Sequence, residues 1–398
     1  MTGKPGLPGA GGHRTQHQMG RRWTPRIGLT CAVLLFAGGL AALGVTSRTR
    51  PAAAGTVWGL AGGYAGVSLA DAHRRGVRAV LAEASWAAAE TGPGQFDHAY
   101  LAQLAAQVRS YRSMGFQVAL NYGLEDAPRW LMAVPGARYV NQYGTAYTAE
   151  PLPDLIFDTR LRSFAQAYTD VILRLLGPSA NLVRVGGGYD GELDYPPPAG
   201  GEPANQYWAY GPAAGTRAPA PEWRPCSPGR PGQARAFLGW YLASLVDYQR
   251  WQIQTVRRVY AGRIAVLYPS VGFTAAQEHQ ALSDDLCGGT AVEQTGAFAR
   301  GWDQAQQVSA LSGPGLVVYS TWADNPTAID ELGRLAAAHH LPLAGENGGF
   351  DAPAAMRVAV REARAWHLTS FYWVRARQAY CDCNGWATIE DYQHDIAG

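Results

Sequence analysis

Beyond residue 55 the chain alternates short runs rich in apolar and β-branched residues with longer stretches whose apolar residues recur three and four positions apart. The first pattern reads as strand and the second as amphipathic helix, and their regular alternation is the signature of βα units around a parallel sheet. Eight runs are predicted as strands: Thr56–Gly62, Val77–Ala84, Gln117–Tyr122, Leu182–Gly187, Ile264–Tyr268, Gly315–Ser320, Pro342–Gly345 and Thr369–Val374. Between them, Tyr100–Met114, Arg160–Leu176, Phe237–Tyr260, Ala328–His339 and Pro353–Trp366 carry the apolar stripe of a helix that covers a sheet. Eight such units close a barrel, and no GxGxxG follows the first strand, where a dinucleotide fold would place it. The expected fold class is therefore α/β, a single (β/α)8 TIM barrel over residues 55–398. The Pro/Gly-rich segment Pro196–Gly232 has no periodicity and follows the fourth strand directly. On the C-terminal face of a barrel it is expected to wall a pocket.

Residues 1–54 stand apart from that pattern. Arg14, Arg21, Arg22 and Arg26 precede an apolar run from Ile27 to Val45, followed by the small residues Ala52, Ala53 and Ala54. A cleaved signal peptide and a retained signal anchor both fit. Either would leave the barrel extracellular or at the cell surface, touching a membrane only through the apolar segment. Of the five cysteines, Cys31 lies in that segment; Cys226, Cys287, Cys381 and Cys383 remain for one or two disulfides, with Cys381 and Cys383 awkwardly close for bonding each other. Their spacing is not that of a zinc site, so no metal is expected.

Charge narrows the partner. Charged residues make up 16% of the chain and the net charge is +2, which gives no electrostatic basis for a nucleic-acid partner and points to a neutral substrate. Against this sparse background two glutamates stand out. Glu192 follows the fourth strand in Gly188-Tyr189-Asp190-Gly191-Glu192-Leu193-Asp194-Tyr195-Pro196, and Glu346 ends the seventh in Leu343-Ala344-Gly345-Glu346-Asn347. Strands four and seven face each other across a barrel mouth. Hydrolysis of a glycosidic bond needs two carboxyl groups, one protonated and one ionised, on either side of the anomeric carbon. Glu192 is expected to be the acid, with a raised pKa, and Glu346 the ionised nucleophile or base; no cofactor is required.

The residues Glu83-Ala84-Ser85-Trp86, Glu90, Gly94-Gln95-Phe96-Asp97, Gly115-Phe116-Gln117-Val118 and Ala127-Pro128-Arg129-Trp130-Leu131 resemble the opening of the glycoside hydrolase family 42 β-galactosidases. Ser370-Phe371-Tyr372-Trp373 resembles the aromatic eighth-strand end of the same barrel clan. That resemblance implies a retaining mechanism, with Glu192 as acid/base and Glu346 as nucleophile. One departure is plain: the clan usually has Asn immediately before its acid/base Glu, and Gly191 stands here. Gly191-Glu192-Leu193-Asp194-Tyr195-Pro196 and Gly345-Glu346-Asn347 are instead similar to motifs of the β-amylases, which implies an inverting mechanism with Glu192 as acid and Glu346 as base. The stereochemistry thus stays open. Around the pair, Trp86, Trp130, Trp322, Trp373, Tyr189 and Tyr195 are expected as stacking surfaces for an oligo- or polysaccharide, and Glu83, Asn121, Asp324, Asn347 and Arg375 as hydroxyl partners. Asp158 and Arg162, at the start of a helix, are read as capping and surface-pairing residues and not as substrate contacts. The competing function is a non-catalytic carbohydrate-binding or cell-envelope protein on the same barrel.

Overall fold

The computed structural model describes residues 55–398 apart from 200–204, 231, 288–291, 349–350 and 382–384. Eight parallel strands form a closed barrel: β1 (Val57–Leu60), β2 (Ala79–Glu83), β3 (Gln117–Asn121), β4 (Leu182–Val185), β5 (Arg263–Tyr268), β6 (Leu316–Ser320), β7 (Leu343–Glu346) and β8 (Ser370–Trp373). Each strand pairs with its neighbours in chain order, and β1 closes the ring on β8 with Gly59 opposite Tyr372. All eight predicted strands are present. The five predicted helices appear as His98–Ser113, Thr159–Leu176, Gln233–Arg257, Pro326–Ala338 and Pro353–Ala365.

Side chains alternate across a strand, so every second residue enters the barrel lumen. Ala79 and Leu81, Ala119, Leu182, Ala265 and Leu267, Val317 and Tyr319, Ala344 and Tyr372 form that inner core. Small and branched residues fill the lower lumen. The same parity carried one step toward the C-terminal ends brings in Glu83, Asn121, Arg184 and Glu346, so the apolar lumen gives way to a polar floor. Residues of opposite parity meet the helices. Thr159–Leu176 shows how: Asp158 caps it by accepting from the Arg160 N–H, and Leu161, Ala165, Tyr168, Ile172, Leu173 and Leu176 are buried along one stripe. Each such large apolar side chain contributes about 1.5–3 kcal/mol by leaving water.

The segment after β4 is packed rather than loose. Tyr207, Trp208 and Trp223 are buried, and Tyr207 and Trp223 lie against Phe237 of the long helix Gln233–Arg257. A disulfide joins Cys226 to Cys287 in the segment after β5. Cys381 is also disulfide-bonded, whereas Cys383 lies outside the described residues. The basic flank and apolar run of residues 1–54 lie outside them too. Among the described residues no helix is long and apolar enough to cross a membrane.

Candidate active site

The floor of the mouth follows from strand register. Glu83 of β2 is opposite Asn121 of β3, which is opposite Arg184 of β4, so these three form one inward layer. Arg184 reaches across the lumen to Glu346 on β7, donating from Nη1 to Oε2 at 2.8 Å and from Nη2 to Oε1 at 3.0 Å. Tyr319 of β6 donates its hydroxyl to the same Oε2 at 3.0 Å, and the guanidinium lies 4.9 Å from the Tyr319 ring centroid. Burial opposes the charge on Arg184, but Glu346 beside it wins and holds the guanidinium protonated. A carboxylate offers about four lone-pair sites over its two oxygens. Two donors occupy Oε2 and one occupies Oε1, so Oε1 keeps the free acceptor site. Glu83 is reachable by solvent yet walled by the barrel; desolvation raises its pKa, with Arg184 opposing and Glu346 reinforcing the shift.

Glu192 is set by a compact turn. The Gly188 N–H donates to the Glu192 carbonyl at 2.7 Å, Glu192 N–H to the Tyr189 carbonyl at 3.1 Å, and Leu193 N–H to Leu267 of β5 at 2.9 Å. A Cβ on Gly186 would stand 2.2 Å from the Gly191 carbonyl oxygen, so only glycine lets the strand end fold onto this turn. Gly191 has φ +78°, and a Cβ there would meet Glu125 Oε1 at 3.3 Å and Asn121 Nδ2 at 3.5 Å. Asn121 Nδ2 donates to Glu125 Oε1 at 2.9 Å. That pair fills the space into which a side chain before Glu192 would extend, which accounts for glycine where the barrel clan has asparagine. Asp190, in the same turn, also sits in the left-handed region at φ 54°.

Electrostatics separate the carboxyl groups. Burial raises the Glu192 pKa well above the usual range; the charge of Asp194 adds to the rise, the Thr321 hydroxyl and Arg300 oppose it, and Asp190 adds again. Asp194 is fully buried, ion-paired with Arg300, and accepts the Tyr189 N–H at 3.1 Å. Burial pushes it up to about 6 against the pull of Arg300. With a cation in direct contact, Asp194 ionises first and its charge keeps the proton on Glu192. Arg300 itself lies between Tyr189 and Trp302, 5.2 Å from each ring centroid. Two further carboxyl groups face this cluster. Burial raises Glu125, opposed by its own backbone N–H and by Asn121. Glu150 is pushed up to about 7 by burial and then by Asp190.

The predicted residues divide. Glu192, Glu346, Glu83, Asn121 and Tyr189 belong to the mouth, and Trp322 and Asn347 border it. The Trp322 ring covers Gly348, and Asn347 accepts the Val374 N–H at 2.7 Å while its Nδ2 has no partner among the described residues. Three expected stacking surfaces are core instead. Trp86 is fully buried, stacked on Tyr168 at 5.1 Å, and donates to Glu90 at 2.7 Å. Tyr195 is fully buried against Tyr241 at 3.9 Å. Trp373 is 1% exposed and points outward to Tyr392, because its neighbour Tyr372 holds the inward position. Trp130 donates to the Glu90 carbonyl at 3.1 Å and packs edge-on against Phe164, so it too has a structural partner. Asp324 holds the chain after β7 by accepting the Gly348 N–H at 2.6 Å, and Arg375 donates to both oxygens of Asp351 at 2.7 and 2.6 Å. Asp158 caps its helix as expected, whereas Arg162 is buried and not a surface pair alone: it donates to the Leu155 and Ile156 carbonyls as well as pairing with Asp247. Sequence reading missed Arg184, Tyr319, Asp194, Arg300 and Thr321. For Arg184 a signal existed: an arginine in the inward register of an otherwise apolar strand requires a partner in the lumen.

By sequence, no family model and no curated protein matches the chain. By structure, the chain is similar to the catalytic domain of the β-amylase of Paenibacillus polymyxa, with a TM-score of 0.65 and 15% identity, over 86% of this chain and 99% of that one. It is also similar to the β-galactosidases of the psychrophilic Marinomonas ef1 and of the Antarctic haloarchaeon Halorubrum lacusprofundi, with TM-scores of 0.57 and 0.56 and identities of 11% and 13%. The match covers 85% of this chain in both cases but 59% and 57% of those longer chains. These likenesses fit the two resemblances read from the strand-end motifs and establish a shared barrel fold.

Proposed function

We propose that this protein is a glycoside hydrolase that cleaves O-glycosidic bonds with Glu192 as general acid and Glu346 as nucleophile or base. The observation that carries this reading is the opposite treatment of two carboxyl groups at the ends of β4 and β7. Burial and the Asp194 charge keep a proton on Glu192, while Arg184 and Tyr319 give the Glu346 carboxylate three donors. Divergent environments of this kind assign acid and base roles. In the reaction Glu192 gives its proton to the glycosidic oxygen as the bond to the anomeric carbon breaks. Glu346 Oε1, the oxygen with a free acceptor site, attacks that carbon in a retaining enzyme or takes a proton from the attacking water in an inverting one. Arg184 and Tyr319 hold Oε2 and so aim Oε1. Trp322 and Tyr189 offer ring faces to an oligo- or polysaccharide, and Glu83 and Asn121 offer polar groups to its hydroxyls. The apolar run Ile27–Val45 supports action outside the cytoplasm, secreted or tethered at the cell surface.

The test is hydrolysis of a panel of aryl glycosides, glucans and galactans by the wild type beside Glu192→Gln and Glu346→Gln. A loss of about a hundredfold or more in both variants is expected, and the anomer first formed, read by NMR, decides between retention and inversion. A second reading is favoured by the bidentate clamp on Glu346, which would equally suit an inert ion pair in a carbohydrate-binding barrel. Wild-type silence across the panel with glycan binding retained would select it.

A further inference from the structure

The turn that carries Glu192 starts in three consecutive glycines, Gly186, Gly187 and Gly188. Glycine has the most backbone freedom to lose on ordering, so a carboxyl group placed beyond such a run keeps one position only if the run is tied down from outside. Strand pairing stops just short of it: β4 pairs with β3 as far as Arg184 opposite Asn121, and with β5 as far as Val185 opposite Val266. The next residue finds its partner in a side chain. Gln252, on the helix Gln233–Arg257, accepts the Gly186 N–H on Oε1 at 3.2 Å and donates from Nε2 to the Gly186 carbonyl at 3.0 Å. One planar amide thus supplies both bonds that a further strand residue would supply.

Gln252 is itself fixed. It is buried, and its Oε1 also accepts the Tyr122 hydroxyl at 3.3 Å, which leaves Nε2 for the carbonyl. An apolar side chain would serve helix packing at this depth, and a buried amide costs free energy unless its bonds are made. The bonds made here go to the start of the acid's turn. From Gly186 the hold passes directly onward: Gly187 N–H donates to the Gly191 carbonyl at 3.1 Å and Gly188 N–H to the Glu192 carbonyl at 2.7 Å. The same helix limits Gly187 as well, since a Cβ there would stand 2.7 Å from the Tyr248 hydroxyl oxygen. Glu346 does not depend on this turn. Its partners are Tyr319 on β6 and Arg184, which lies within the paired part of β4.

We propose that Gln252 is the positioning residue of the general acid: the helix Gln233–Arg257 holds Glu192 in its working place through the Gln252–Gly186 pair, without touching the sugar. The inference rests on the reading of Glu192 as the acid of a glycoside hydrolase. It separates two halves of the reaction. Loss of Gln252 weakens proton delivery to the leaving group and leaves the aim of Glu346 intact.

The experiment measures kcat/KM of the full chain on two glycosides of one sugar, the sugar that the wild type cleaves best, with an alkyl and with a dinitrophenyl leaving group. An alkoxide needs a proton in order to leave, whereas dinitrophenolate does not. Gln252→Met fills a similar space and loses both bonds to Gly186. Its kcat/KM is expected to fall at least about tenfold on the alkyl glycoside and by about twofold or less on the dinitrophenyl glycoside. Glu192→Gln should show the same pattern at its limit. Tyr122→Phe frees the amide of one bond and should repeat the pattern more weakly; it decides the matter if Gln252→Met proves unfolded by circular dichroism. A residue that only stabilised the fold would lower Tm and leave the ratio of the two activities unchanged, so an unchanged ratio, with or without a loss on both glycosides, overturns the proposal. Failure of the hydrolase reading looks different: the wild type cleaves neither glycoside. Gln252 is then judged by the titration of Glu192, read as the infrared carboxyl band that Glu192→Gln removes. Burial is the main cause of the raised Glu192 pKa, so opening of the turn in Gln252→Met lowers it, and a titration that does not move overturns the positioning role too.

Discussion

Replacing Asp194 by Asn tests whether the proton on Glu192 is held electrostatically. The substitution keeps the shape and one of the two acceptor oxygens, of which Oδ1 now takes the Tyr189 N–H and Oδ2 takes Arg300, and removes a negative charge two residues from the acid. The charge of Asp194 is the largest of those that raise Glu192, and a charge close by shifts a carboxyl pKa by about one to three units. Arg300, which opposes the shift now, screens part of it, so a fall of about one to two units is expected. The charge no longer neutralised on Arg300 acts in the same direction. The alkaline limb of the kcat/KM profile reports the acid in the free enzyme, and in Asp194→Asn it should move to lower pH by that amount, with the limit at low pH much less affected. A limb that stays in place, or moves up, would refute the claim that Asp194 poises Glu192. Stability carries a separate sign. Asp194 titrates in the folded protein at about 6 against an ordinary value of 3.8. Its contribution to stability is therefore full below about pH 4 and is lost as pH rises through about 6. Unfolding of the wild type followed against pH should show that decline, and Asp194→Asn should flatten it.

Three further outcomes follow from the geometry. Tyr319→Phe removes one donor to Glu346 Oε2; a hydrogen bond to a charged group is worth about 1.5–3 kcal/mol, so steady-state kinetics should show kcat lowered about tenfold or more with KM little changed, whereas unaltered kcat would remove Tyr319 from the site. Trp86→Ala should lose about 3–5 kcal/mol of stability by denaturant unfolding because it empties a buried position, whereas Trp322→Ala should leave stability closer to wild type and raise KM; the reverse pattern would exchange their roles. Loss of the Cys226–Cys287 bond, whose partners are 61 residues apart, should lower stability by about 4 kcal/mol, seen as a lower Tm of a Cys226→Ala/Cys287→Ala variant than of the wild type without reductant; an unchanged Tm would remove the bond from the account of stability.

Much of the architecture was legible because its signals are local. Period-two and period-3.6 patterns mark strands and helices from a few neighbouring residues, so eight strands, five long helices and the barrel they imply could be read in order along the chain. The position of Glu192 and Glu346 at strand ends follows from the same pattern. Parity within a strand even carried information left unread: Ser370-Phe371-Tyr372-Trp373 cannot turn both Tyr372 and Trp373 inward, so the core position of Trp373 was already implied. Past the strand ends that rule lapses, and nothing local distinguishes the buried Trp86 and Tyr195 from the half-buried Trp322 and Tyr189. The Glu90 turn, whose motif resembles a sugar-enzyme family, proved to be the partner of Trp86 in the core. What only the closed barrel decides is which distant charges meet. Arg184 and Glu346 are 162 residues apart and Asp194 and Arg300 are 106 apart, and each pair forms only where the closed fold brings the two charges together. The choice of Cys287 for Cys226 has the same origin. The sequence by itself determined the elements and the strand ends at which Glu192 and Glu346 stand; the tertiary structure decided their partners, and with them how burial and neighbouring charge act on each carboxyl group, since charge pairing in a low-dielectric mouth depends on distances through space that no spacing along the chain encodes.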